Sequence, residues 1–199
     1  ARAMLSHREQ LRFVAAERIL AELLQIRFSR VDPAFLPVLR VALPELAALP
    51  AQDDPGDPAL HMAALLRGLD AGEILLRLKA SRALVERAAL LAAEPDLPRD
   101  MGDREAGRLL RRMGPEAALQ LCRLSQSEGA ARAVNRALSR GDAYEIRHLA
   151  IGGRELMRLG LAGEAVGSAL NALLDRVVDG TLANEREALL KAAEEMARK

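Results

Sequence analysis

Residues 163–180 read GEAVGSALNALLDRVVDG, and their spacing decides the fold class. Val166, Leu170, Leu173, Leu174, Val177 and Val178 recur at intervals of three and four, which gathers them on one side of an α-helix. Gly163 opens the segment and Gly180 closes it, the second glycine standing where a helix C-terminus needs left-handed backbone. Upstream, Gly152-Gly153 opens a short helix that Gly160 ends. Downstream, Asn184 and Glu187 cap a terminal helix containing Leu189, Leu190 and Ala193.

The same signals run back to the N-terminus. Ser6 and Glu9 form a capping box before a helix whose apolar positions Leu11, Val14, Ala15, Ile19, Leu23 and Ile26 extend to about Arg27. Asp32-Pro33 starts a second helix that Pro44 stops. The run from Pro50 to Pro58, rich in Asp, Pro and Gly, is a loop. Short helices follow at about 58–67, 71–79 and 81–93, the last capped by Ser81. After a Pro-containing loop at 94–102, Asp103 caps a helix to Met113. Gly114-Pro115 restarts it to about Ser127, and one more helix covers about 129–138. Neither a sustained heptad nor a fixed-period repeat is present. The expectation is an all-α protein, with antiparallel helices in an elongated array of two sub-bundles that meet near residues 139–146.

Composition narrows the function classes. Half of the 199 residues are apolar, so the chain can bury a core and is not disordered. Charged residues are 29%, and no apolar run nears the roughly 18 residues of a membrane helix. Residues 1–12 mix Arg, Glu and Gln with apolar positions, so no signal peptide is expected and the expected compartment is the cytoplasm. Aromatics are 2%, too few for a reader that stacks single-stranded bases. The net charge of +1 hides a division: residues 104–140 carry +5, whereas 31–103 carry −5 and 141–199 carry −2. A basic block of this kind suits contact with a polyanion.

Catalytic constellations are scarce. His7, His61 and His148 lie far apart without a carboxylate or second histidine at ligand spacing. His61, at the start of a short helix, reads as a surface or capping residue. Asp53-Asp54 sits in a solvated acidic loop. Cys122, between Leu121 and Leu124, reads as core, and a single cysteine leaves no internal disulfide and no cysteine-based zinc site. No catalytic residue, metal ligand or cofactor is expected in this chain, which reads as a binding or scaffolding module.

From His148 onward the sequence is HLAIGGRELMRLG, continuing through Gly163, Gly167, Leu170, Leu173-Leu174 and Asp179-Gly180 to Leu182, Asn184 and Glu185. This closely resembles the tail of bacterial CCA-adding tRNA nucleotidyltransferases, relatives of the poly(A) polymerases, with their "L-x-I-x-G-x-[DE]-L-M" stretch and "G-x-L-x-N-E" close. Two shorter matches lie upstream in the same order. Val14-Ala15-Ala16-Glu17-Arg18-Ile19 with Glu22-Leu23 resembles the end of the family's neck, "V-S-x-E-R-I-x-x-E-L". Leu78-Lys79-Ala80-Ser81-Arg82 resembles its body element "L-K-x-S-N", with Arg82 in place of Asn. There are departures. The family's catalytic head and its "E-D-x-x-R" neck motif would precede residue 1. The stretch Met62–Gly68 has neither the His nor the Asp of the family's "L-H-D-I-G-K".

The resemblance implies the end of a neck at 1–30, a helical body at 31–140 and a helical tail at 141–199. It implies a catalytic head, absent from this chain, that would hold Mg²⁺ and take CTP and ATP, so that the chain alone is expected to be inactive. It also implies that this portion grips tRNA from acceptor stem to elbow, without a membrane. The residues offered for that role are arginines in helical rows. Arg104, Arg108, Arg111 and Arg112 share one face, and Arg132, Arg136 and Arg140 repeat the i, i+4, i+8 spacing. Arg154 and Arg158 follow Gly153 at a helix start, where free amides and the helix dipole can hold a phosphate. The alternatives are a helical protein-interaction scaffold without RNA function and, further off, a degenerate metal-dependent phosphohydrolase domain.

Overall fold

The computed structural model describes residues 15–198, which form helices and connecting turns with no strand among them. The Ser6–Glu9 capping box lies outside the described residues. The chain divides into two compact units between Asp96 and Leu97. Residues 139–146, the expected junction of two sub-bundles, lie inside the second unit.

The first unit begins with α1, Ala16–Leu23, shorter than its apolar pattern suggests because the chain turns at Leu24–Gln25. A 3₁₀ turn at Phe28–Arg30 buries Phe28 completely. The Asp32 carboxylate accepts the Ala34 N–H at 2.9 Å, starting a 3₁₀ turn at Pro33–Phe35 that leads into α2, Leu36–Ala42. α3, Pro58–Leu65, is capped by Asp57, which accepts the Leu60 N–H. Five of its eight residues are buried, and it carries no polar stripe. That pattern marks a central helix enclosed on all sides. α4, Ala71–Arg77, and α5, Arg82–Ala93, are capped by Asp70 and Ser81 and both pack with the core. Between them the Ala80 N–H reaches the Leu75 carbonyl, with Lys79 left-handed at φ 56°, a Schellman-type stop. The Leu78–Arg82 motif is thus a helix stop followed at once by a helix start.

The second unit is built on α6, Asp103–Leu124, and α7, Glu128–Arg140, which pack along each other and bury Ala106, Leu110, Ala117, Leu121, Ala130, Ala133 and Val134. α6 is two helical segments joined by a kink at Gly114, whose φ of 76° only glycine adopts cheaply, followed by Pro115. Its N-cap is Gly102 rather than Asp103: Glu105 reaches back to accept the Gly102 N–H at 2.8 Å, and Asp103 is released for ion pairs. Ser127 caps α7 and donates to the Pro98 carbonyl, and Gly129 lies against the Arg99 carbonyl so closely that a β-carbon would overlap it. Three further helices close the unit: α8, Gly153–Arg158; α9, Glu164–Val178; and α10, Arg186–Ala197. Their core is Leu149, Ile151, Leu156, Leu170, Leu173, Leu174 and Leu189. The N-cap position of α10 is Glu185, which makes no side-chain cap bond, and not Asn184, whose amide is used elsewhere.

Candidate nucleic-acid interface

On α6, burial of Ala106, Leu109, Leu110 and Ala117 leaves Arg104, Arg108 and Arg112 exposed on the opposite side, with Arg111 at the boundary. Helical periodicity alone dictates that arrangement. What periodicity does not show is the row facing them from α9. Asn171, Asp175 and Asp179 stand at i, i+4 and i+8 and run antiparallel to the arginines. Arg108 donates from Nε to Asp179 Oδ1 at 2.6 Å. Arg111 donates from Nε to Asp175 Oδ1 at 3.3 Å and from Nη2 to Asn171 Oδ1 at 2.5 Å. The Arg108 hydrogen bond, with the further field of Arg104, holds the Asp179 carboxyl below its ordinary value.

The α7 arginines are also engaged. Arg132 meets Glu128 one turn back, at 3.4 Å. Arg136 and Arg140 share the Asp103 carboxylate at 2.8 and 2.6 Å, and Arg140 also pairs with Asp142 at 2.6 Å. Asp103 is accordingly held below the usual carboxylate range, first by Arg136 and then by Arg140. Arg104, Asp103, Asp142, Val177 and Val178 line a cleft of about 480 Å³ whose rim includes Gly141 and Gly180. Of the row arginines Arg104 lines this cleft, and Arg108, Arg111, Arg132, Arg136 and Arg140 are held by carboxylates. Charge counted along the sequence missed this, because the acids that answer the basic block lie up to 71 residues away.

Arg154 and Arg158 differ. Both are exposed on α8 beside exposed Met157, and among the described residues neither has an ion-pair partner. At the helix start expected to receive a phosphate, one amide is already taken by a side chain of the same helix. Glu155 accepts the Gly152 N–H on Oε2 at 3.2 Å and Arg186 on Oε1 at 2.9 Å. Arg186 and these backbone bonds hold the Glu155 carboxyl below its ordinary value. Gly153 is explained by packing: a β-carbon there would stand 3.2 Å from Val166 Cγ1 of α9.

Asn184 ties down the segment that leads into α8. Its Nδ2 donates to the His148 carbonyl at 2.8 Å, and its Oδ1 accepts the Ala150 N–H at 2.9 Å. The turn it grips, Ile146–His148, also carries an edge-on contact between the Tyr144 and His148 rings.

His61 corrects a second expectation. It is fully buried, not at the surface, with its ring stacked on Phe28 at 5.0 Å and Nε2 within 3.0 Å of the Leu23 carbonyl. Cys122 is buried, as its neighbours suggested. Among the described residues no group of three or more His, Cys, Asp or Glu side chains could hold a metal ion. Nor is any described helix long and apolar enough to cross a membrane.

Comparison with curated proteins and with solved structures finds no match. A protein family described as tRNA nucleotidyltransferase domain 2 does match, over residues 59–193. That span covers more than half of the chain, from the buried helix α3 through the α6–α9 ladder into α10, and the chain belongs to this tRNA nucleotidyltransferase family.

Proposed function

We propose that this chain is the RNA-gripping helical part of a tRNA nucleotidyltransferase that adds CTP- and ATP-derived nucleotides to tRNA 3′ ends. The observation that carries the reading is the exposed pair Arg154 and Arg158 on α8, without a carboxylate partner among the described residues, in a chain that also carries arginine rows of regular helical spacing. Duplex RNA is bound mainly by shape and through phosphate and 2′-hydroxyl contacts, which call for arginines and few aromatics. In the parent enzyme, Mg²⁺ held by carboxylates of the catalytic head would activate the terminal hydroxyl. The residues here contribute by holding the tRNA from acceptor stem toward elbow.

The test is a salt titration of tRNA binding to the 199-residue chain. With about four to six phosphate contacts, raising salt from about 50 to 200 mM weakens binding roughly a hundredfold or more. The double substitution R154E/R158E weakens whole-tRNA binding strongly while leaving the thermal transition in place, because exposed charges contribute little to stability. A hairpin of the acceptor stem alone loses less. A salt-independent affinity, or a double variant that binds like the parent, removes α8 from the interface.

One observation favours a second reading, a helical interaction scaffold without RNA function. Arg108, Arg111, Arg132 and Arg136 all meet carboxylates of their own chain. Under that reading the chain shows no salt-dependent affinity for tRNA.

A further inference from the structure

The α6–α9 ladder pairs arginines with acceptors in a way that leaves part of each guanidinium unused. Arg108 is bonded through Nε, and its side chain is 58% exposed. A guanidinium offers five N–H donors in a planar fork, so a bond at Nε leaves the edge made by the two Nη groups available for bidentate contact with a phosphate. The carboxylate thus fixes the plane of the arginine without covering the edge that reads phosphate.

Arg111 shows that holding, rather than neutralising, is what the facing row supplies. One of its two partners is the neutral amide of Asn171, and it makes the shorter contact, 2.5 Å against 3.3 Å to Asp175. Asn171 is itself fixed, its Nδ2 donating to the Gly167 carbonyl at 2.9 Å one turn back on α9. The chain of restraint runs from backbone to amide to guanidinium. An acid whose role was to cancel charge would gain nothing from an amide in the same row.

We propose that Asp179, and Asn171 with Asp175, are positioning residues for RNA: they lock Arg108 so that its two Nη groups meet a phosphate, and Arg111 so that its remaining Nη1 group does the same. This rests on the RNA reading above. The physical gain is prepaid side-chain entropy, since an arginine already ordered in the free protein loses less on binding.

Asp179 substitutions distinguish the possibilities, read as tRNA affinity by fluorescence anisotropy alongside thermal unfolding. D179N keeps an acceptor oxygen for Nε and removes the negative charge; D179A removes both. Positioning predicts that D179A weakens tRNA binding about three- to tenfold, on the scale of one freed side chain. D179N is expected to stay within about twofold of the parent or to bind more tightly, since an amide oxygen still accepts from Nε. Asn171→Ala repeats the test at Arg111 without altering charge and is expected to weaken binding. If D179A and D179N both tighten binding, the carboxylate is a competitor for the arginine and the proposal fails. If neither changes affinity while both lower the unfolding temperature, the ladder is structural only and the proposal also fails. R108Q separates this from the broader reading: tRNA binding of normal salt slope in that variant removes the α6 row from the interface but leaves α8 in it. An unsubstituted chain that does not bind tRNA overturns both.

Discussion

Replacing Asn184 with alanine tests how α8 and its two free arginines are held. The Asn184 amide bridges the His148 carbonyl and the Ala150 N–H, joining the segment before α8 to the start of α10 across 34 to 36 residues. Two hydrogen bonds at about 0.5–1.5 kcal/mol each set the scale at about 1–3 kcal/mol. Both groups are exposed in the native fold, so water replaces part of what is lost and the expected cost is about 1–2 kcal/mol. For a unit of this size each kcal/mol lowers the midpoint by about 4–8 °C, giving a drop of about 5–15 °C in a calorimetric scan. Native-state hydrogen exchange gives the local readout: the Ala150 amide loses protection in N184A by more than the helical amides of α6 do. Asn184→Asp sharpens the test, because it still accepts the Ala150 N–H but sets a carboxylate oxygen against the His148 carbonyl. Ala150 protection is then kept although stability falls. If N184A leaves both the midpoint and the Ala150 exchange rate unchanged, the bridge does not hold α8 and the argument is wrong.

Gly129→Ala places a methyl on the Arg99 carbonyl, and repositioning the 98–100 segment is expected to cost at least about 1–3 kcal/mol by chemical denaturation despite the better helix propensity of alanine. The Arg77 guanidinium holds Glu45 at about 2, well below its usual 4.5, so the pair adds stability above the usual value that is lost as pH falls toward 2. With the Glu45 side chain 38% exposed, screening limits the gain to at most about 1 kcal/mol, and E45Q should show its urea-midpoint deficit at pH 6, a reduced deficit at about pH 3, and lose it only near pH 2. His61→Ala, at a fully buried site, is expected to cost about 2–4 kcal/mol in urea unfolding; a change below about 0.5 kcal/mol would deny the ring its place in the core.

The helix boundaries were legible where the controlling chemistry is local. Asp57, Asp70, Ser81 and Ser127 each satisfy an amide three residues on, and Gly141 and Gly180 supply the left-handed backbone that ends α7 and α9. The misreadings share one cause, a partner distant in sequence. Asn184 has the residue type of a cap, yet its amide is claimed by the 148–150 segment, and Glu185 takes the N-cap position. His61 lies on a helix apolar on every side, so no polar face could locate it, and its partner carbonyl at Leu23 is 38 residues back. Asp103 has the type of an N-cap as well, but two α7 arginines draw its carboxylate away.

The arginine rows pose a different question. Their spacing is right, and helix geometry does place them on exposed faces; what the spacing cannot contain is the complementary spacing on another helix. Asn171, Asp175 and Asp179 repeat at i, i+4, i+8 just as the arginines do, so two sequence-local stripes become one ladder only when α6 and α9 run antiparallel. Ion pairs as exposed as these contribute little to folding, typically 0–1 kcal/mol each. A ladder that is weak as a source of stability still fixes side-chain direction, and direction is what binding a polyanion along a helix demands. Net charge, close to neutral over the whole chain, says nothing about this; the orientation of three or four guanidinium edges does.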